Sequence, residues 1–300
     1  MSRADCAISG VIPAMVTPAT DDGMDVDPAR AKALTKRLIG AGVHGLFVGA
    51  STGEAPLLTR EQRSKLIDAV IDANTIAKLP MLVGVGAIGT QQSITFAKDA
   101  EKLGANYIVV LPQQFFVVSE DELYGYFAAI SDSVSIQTVL YNYPALTAGQ
   151  SIPPDLASKL ADKHNVIGIK DSSGDFTLAT QYIEWGGPSF AVFTGLDSLF
   201  LPLLTHGGAG TICAAANVVP ERIVELYNYF CEGESEDAMD IQRHLGRAGH
   251  LWKLGTFPAA VKAACGMVGE SVGPPFAPVN ALNGEELTEL KQGLQKYFDV

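Results

Sequence analysis

Short, almost unbroken apolar runs recur along the chain at 11–16, 45–48, 81–85, 107–111, 138–141, 166–169, 190–193 and 210–213. Continuous apolar runs of this length read as strands buried on both faces, the pattern of a parallel sheet covered by helices. Helical start signals lie between the runs. Asp27 precedes Pro28, a cap followed by a proline at the first helical position, and Gly40 and Gly42 close that segment. Thr59 with Gln62, and Ser119 with Glu122, have the spacing of capping boxes, and Pro153-Pro154 opens another helix. The runs end about 19 to 36 residues apart, the length of a strand–helix unit. Eight such units predict an α/β fold, a (β/α)8 TIM barrel, with an open doubly wound sheet as the rival. After Pro220 the strand pattern stops, and 221–232, 237–253, 257–267 and 284–298 read as helices. The expected division is a catalytic barrel over 1–222 and a C-terminal helical appendage over 223–300.

Composition narrows the function classes. Hydrophobic residues make up 47% of the 300 positions and charged residues 18%, which suits a compact core. Thirty-three acidic against 21 basic residues leave a net charge of −12, which repels nucleic acid and anionic membranes. No run approaches the ~18 apolar residues of a membrane span. The opening MSRADCAISGVIPAMVTP is broken by Pro13 and Pro18 and reads as a first strand rather than a signal peptide. Cys6, Cys213, Cys231 and Cys265 are far apart, and His44, His164, His206, His244 and His250 lack ligand spacing. The expectation is a cytoplasmic protein with reduced thiols, no metal and no cofactor.

In a barrel the chemistry sits at the C-terminal ends of the strands. There, Val166-Ile167-Gly168-Ile169-Lys170-Asp171 ends an apolar strand on a lysine. Desolvation disfavours an ammonium, and a free amine in such a place attacks a ketone to give a Schiff base. The plainer reading is an ion pair with Asp171 or another rim carboxylate. Val139-Leu140-Tyr141-Asn142-Tyr143-Pro144 ends the preceding strand on a phenol that can serve as general acid–base, or can simply pack under a loop. Gly49-Ala50-Ser51-Thr52-Gly53-Glu54 offers hydroxyls and amides sized for a carboxylate, although the same residues make ordinary turns. Gly84-Val85-Gly86-Ala87-Ile88-Gly89 matches a dinucleotide fingerprint. It follows the third run rather than the first, and no acidic residue ends the next run, so these glycines are read as close packing. Gly207-Gly208-Ala209-Gly210 precedes its strand and reads as a turn rather than a phosphate site.

These three motifs, in this order on strands 2, 5 and 6, resemble the dihydrodipicolinate synthase / N-acetylneuraminate lyase family of class I aldolases over nearly the whole chain. The resemblance implies a TIM barrel, usually a homotetramer or homodimer, whose strand-6 lysine forms a Schiff base with pyruvate or another 2-oxo acid. Carried over by position, Lys170 becomes the imine lysine and Tyr141 the acid–base residue. Ser51 and Thr52 become the hydroxyl pair that binds the oxo-acid carboxylate and relays protons. Gly195, Ile212 and Asp197 line the substrate pocket, and no cofactor is called for. Three departures bear on the substrate. Leu146 stands where the synthases place an arginine for the aldehyde's carboxylate, and leucine cannot supply a guanidinium contact. Gln113-Gln114 replaces a Tyr-Tyr pair, so Gln114 cannot act as an acid. Ser198 follows Asp197 where sialic acid lyases carry an acidic residue.

Tyr141-Asn142-Tyr143-Pro144-Ala145 and the run Cys213 to Val218 are most similar to the 4-hydroxy-2-oxoglutarate and 2-keto-3-deoxy-sugar-acid aldolase branches. The first expectation is therefore a pyruvate-releasing aldolase for a hydroxylated 2-oxo acid. The second is 4-hydroxy-tetrahydrodipicolinate synthase, and a dehydratase or decarboxylase on the same imine is a relative of both. A different class, a low-turnover barrel that senses 2-oxo acids, stands as the further alternative.

Overall fold

The computed structural model describes residues 6–300; residues 1–5, at the start of the stretch read as a first strand, lie outside the described residues. Eight parallel strands run in the order β1-β8-β7-β6-β5-β4-β3-β2. They are β1 (Gly10–Pro13), β2 (Leu46–Val48), β3 (Met81–Gly84), β4 (Tyr107–Val110), β5 (Gln137–Asn142), β6 (Val166–Asp171), β7 (Ala191–Thr194) and β8 (Gly210–Cys213). A parallel bridge between Ala14 and Phe47 joins the two remaining edges and nearly closes the barrel. The first run stops as a strand at Pro13, whose ring leaves no amide for the ladder.

Helices α1 (Pro28–Gly40), α2 (Arg60–Ala73), α3 (Thr90–Leu103), α4 (Glu120–Ser131), α5 (Pro154–Lys163), α6 (Phe176–Gly186), α7 (Phe200–Thr205) and α8 (Pro220–Glu232) alternate with the strands. Their starts follow the sequence signals. The Asp27 carboxylate accepts from the Ala29 and Arg30 amides, and both expected capping boxes form. Strand parity divides the apolar residues into two layers. Val11, Leu46, Leu140 and Ile169 face outward to the helices, whereas Ile12, Phe47, Val139, Tyr141 and Phe193 fill the barrel interior. Lys170 follows the outward-facing Ile169 and therefore points inward.

The chain ends in α9 (Ser235–Ala248), α10 (Ala259–Met267) and α11 (Gly284–Phe298). The helix expected over 237–253 breaks at Gly249, and a short 3-10 turn, Leu251–Lys253, follows. Burial of Leu251 and Trp252 provides the compensation for that break: both turn into the core, at 0% and 6% exposure. The expected 257–267 helix begins two residues late because Pro258 takes the cap position. Of the fingerprint glycines, a side chain on Gly84 would collide with the Gly49 carbonyl, and one on Gly86 would lie 3.1 Å from the Leu111 amide. Gly89 is different: it has open space around it and caps α3.

Candidate active site

Strands β5 and β6 lie side by side with Tyr141 paired to Lys170 and Asn142 to Asp171. Because alternate residues face opposite ways, Tyr141 and Lys170 share the interior, while Asn142 and Asp171 share the outer face. The plainer reading of Lys170 fails for that reason. Asp171 accepts from Asn142 Nδ2 at 2.7 Å and from Ser173 Oγ at 2.8 Å, and among the described residues no carboxylate pairs with Lys170. Burial raises the Asp171 carboxyl pKa, and the Asn142 and Ser173 hydrogen bonds hold part of it down. Asn142 Oδ1 accepts in turn from the Ile152 amide at 3.0 Å, so the polar outer pair locks the ends of both strands to the start of α5.

Inside, Lys170 is 3% exposed, with Nζ 4.1 Å from the Tyr141 ring centre and 5.4 Å from that of Phe47. The Tyr141 hydroxyl lies 3.3 Å from Ser51 Oγ. Thr52, beside it, is buried and lines the same cleft as Lys170. Gly195 abuts the lysine: an added Cβ would stand 3.0 Å from Lys170 Cε and collide with Ser172 Oγ. Ile212 and Asp197 complete the wall. The structure thus brings together all seven residues singled out in the sequence: Ser51, Thr52, Tyr141, Lys170, Gly195, Asp197 and Ile212.

Above Tyr141 and Ser51 the cleft forks. A polar branch of about 400 Å3 runs past Ser172 and Asp197 to His250, Trp252 and Lys253. An apolar branch of about 440 Å3 runs past Leu111 and Gln114 to Leu57, Leu146, Phe257 and Val279. Tyr143 stands at the fork, its ring centre 5.9 Å from that of Tyr141. Gln113 is not in either wall: its Oε1 accepts from the Phe115 and Phe116 amides and shapes the loop after β4.

Asp197 carries a buried, unmet acceptor. Its Oδ1 is buried without a hydrogen-bond partner among the described residues, and burial pushes the carboxyl up to about 6, the Cys213 and Trp252 side chains moderating the rise. The unfolded chain gives up this proton near the ordinary aspartate value while the folded one retains it, so this group's contribution to stability falls as the pH rises from about 4 to 6. Asp197→Asn should match the parent below that window and exceed it above, by up to about 3 kcal/mol. Urea unfolding at pH 4 and pH 7 checks this, and a difference that does not change with pH would refute it.

Sequence reasoning missed the support beneath the hydroxyl loop. Glu54 adopts φ 55° and is buried together with Lys262 of α10, their side chains each 1% exposed. Lys262 Nζ donates to Glu54 Oε2 and to the Thr17 carbonyl, both at 2.9 Å, and Glu54 Oε1 accepts from the Phe276 amide at 2.8 Å. Burial drives both groups toward neutrality, raising the Glu54 pKa and lowering that of Lys262, with their mutual attraction opposing it. A lysine inside the apolar run Ala259-Ala260-Val261-Lys262-Ala263-Ala264-Cys265 was a signal of the same kind as Lys170. Among the described residues, no group of three His, Cys, Asp or Glu side chains is placed to hold a metal ion, and no helix is long and apolar enough to cross a membrane.

A buried amine among aromatic rings on a barrel floor, with a phenol–hydroxyl pair beside it, is the equipment of a barrel that works on carbonyl compounds through covalent attachment. Comparison with known proteins makes this specific. The profile described as Dihydrodipicolinate synthetase family matches residues 7–297. Similar proteins include 4-hydroxy-tetrahydrodipicolinate synthase from Methanosphaerula palustris, 35% identical over 96% of this chain and 99% of the relative. The enzyme of that name from Methanopyrus kandleri is 32% identical over 96% of each chain. Among solved structures, YagE of E. coli K12, a prophage protein of the dihydrodipicolinic acid synthase family crystallised with pyruvate, superposes with a TM-score of 0.94 at 33% identity, covering 97% of this chain and 99% of its own. Dihydrodipicolinate synthase DapA-2 of Bacillus anthracis gives 0.92 at 30% identity, covering 97% and 98%. The chain belongs to the dihydrodipicolinate synthase family, and with it to the Schiff-base-forming pyruvate aldolases, which are lyases.

Proposed function

We propose that Lys170 attacks the keto carbon of pyruvate, that the carbinolamine loses water to give an imine, and that loss of a C3 proton turns the imine into an enamine whose C3 bonds to an aldehyde carbon. Run backwards, the same steps release pyruvate from a hydroxylated 2-oxo acid. The observation that carries this reading is the buried Lys170 amine against Tyr141, whose hydroxyl meets Ser51. Tyr141 moves the protons of carbinolamine and enamine formation, with Ser51 as its hydrogen-bond partner. The Ser51 and Thr52 hydroxyls and the neighbouring amides take the oxo-acid carboxylate, which fixes the keto carbon over Nζ.

The names of the relatives favour the direction of synthesis. The 4-hydroxy-tetrahydrodipicolinate skeleton less pyruvate leaves a four-carbon amino aldehyde with one carboxylate, aspartate semialdehyde. Cleavage of 4-hydroxy-2-oxoglutarate or of a 2-keto-3-deoxy sugar acid, the first expectation from the sequence, has no counterpart in those names. The test is borohydride reduction in the presence of pyruvate with peptide mapping, followed by pyruvate consumption with aspartate semialdehyde and by assay of the two cleavage substrates. A pyruvyl group on Lys170 with consumption of aspartate semialdehyde is the expected result. An adduct without turnover of any partner would leave a 2-oxo-acid-binding barrel. The absence of an adduct would remove the mechanism.

A further inference from the structure

We propose that Lys253, in the wall of the polar branch, is the anchor for a carboxylate on the acceptor aldehyde, and so fixes which way the acceptor lies in the forked cleft. The inference rests on the aldolase reading above and goes beyond it by assigning the residue that binds the acceptor's carboxylate and the branch in which that carboxylate lies.

The argument starts from the charges. An anionic group entering a cleft needs a cation with donors to spare, because an unpaired carboxylate taken from water is costly. The apolar branch offers none: no lysine, arginine or histidine lines it, and Lys262, paired to the Glu54 carboxylate in its wall, spends its donors on Glu54 and Thr17. The polar branch carries two basic side chains beyond Lys170, namely His250 and Lys253. The His250 Nδ1–H is already given to the Arg247 carbonyl at 2.8 Å. Lys253 is exposed, and among the described residues no carboxylate within salt-bridge distance claims it. In a chain with twelve more acidic than basic residues, an unclaimed lysine lining a catalytic cleft stands out.

The local fold holds Lys253 there. It closes the 3-10 turn that follows the break at Gly249, and its amide donates to the His250 carbonyl at 3.0 Å. Leu251 and Trp252, buried beside it, pin the turn to the core. The stem therefore leaves from a fixed point, and only the outer methylenes and the ammonium are free to meet a ligand. The other half of the fork suits an uncharged chain. Leu57, Leu146 and Val279 would desolvate a carboxylate without replacing its water.

The test compares succinate semialdehyde, an aldehyde with a distal carboxylate, with 4-methylpentanal, which puts an isopropyl group of similar shape in that place. Each is titrated by calorimetry into the protein carrying the borohydride-reduced pyruvyl group and into the untreated protein, as parent and as Lys253→Met. The expected result is at least about tenfold tighter binding of succinate semialdehyde than of 4-methylpentanal, lost in Lys253→Met while 4-methylpentanal binding is unchanged. Lys253→Arg should restore most of the preference. Equal binding of the two aldehydes, no binding of succinate semialdehyde, or a Lys253→Met variant that weakens both alike would overturn the proposal. Absence of the pyruvyl adduct by mass would overturn the aldolase reading alone, and the carboxylate preference is then judged on the untreated protein.

Discussion

Lys170→Met is expected to lower pyruvate-dependent turnover by at least about a thousandfold, the order seen when a covalent nucleophile is removed, and to abolish borohydride trapping. The variant should fold. Methionine keeps the length and apolar character of the stem, and the change deletes a buried amine that no carboxylate among the described residues balances, so thermal stability should be equal or higher. That combination, activity lost with stability kept, separates a chemical role from a structural one. Turnover within tenfold of the parent, or a pyruvyl group mapped to another lysine, would refute the assignment of Lys170. A variant that lost both activity and fold would instead make the amine part of the core.

The second large effect is structural. Lys262→Met leaves Glu54 buried with one amide as its remaining partner, and orphaning one member of a buried pair costs roughly 3–5 kcal/mol. Thermal unfolding should fall by about 5–10 °C. The sign of the pH dependence follows from the carboxyl left behind. Its folded pKa is raised above the unfolded value, so the deficit should shrink as the pH falls and Glu54 takes up a proton. Glu54→Gln combined with Lys262→Met should recover part of the loss, because a neutral amide replaces the orphaned charge. Activity should drop too, since Glu54 ends the loop that carries Ser51 and Thr52. Additive losses in the two single variants and the double variant would show that the pair is not coupled.

Local rules made much of this legible in the sequence. Apolar runs, caps and strand–helix spacing are properties of short segments, and they placed all eight strands and the first helices. The inward direction of Lys170 is also local, because strand parity alone separates it from Asp171. What stayed hidden depends on distant segments meeting. Glu54 and Lys262 lie 208 positions apart. Neither motif announces the other until β2 and α10 are packed. The turn at 251–253 was hidden for a related reason, since helical periodicity continues through it and only burial of Leu251 and Trp252 explains the break. The substrate class is not legible at the same level. Leu146 and Gln114 speak about one branch of a cleft, and the residues that the C-terminal segment adds to both branches carry no motif.

The in-register pairing of Tyr141 with Lys170 on neighbouring strands has an evolutionary side. The two groups proposed to make and break the imine are spaced by the ladder of the sheet, which loop changes do not disturb, whereas the walls of both branches come largely from loops and C-terminal turns. Acceptor preference in such a barrel can therefore drift by substitutions at positions such as 146, 253 or 257 while the bond-making pair stays as it is. New aldehydes can be sampled without the chemistry having to be reinvented.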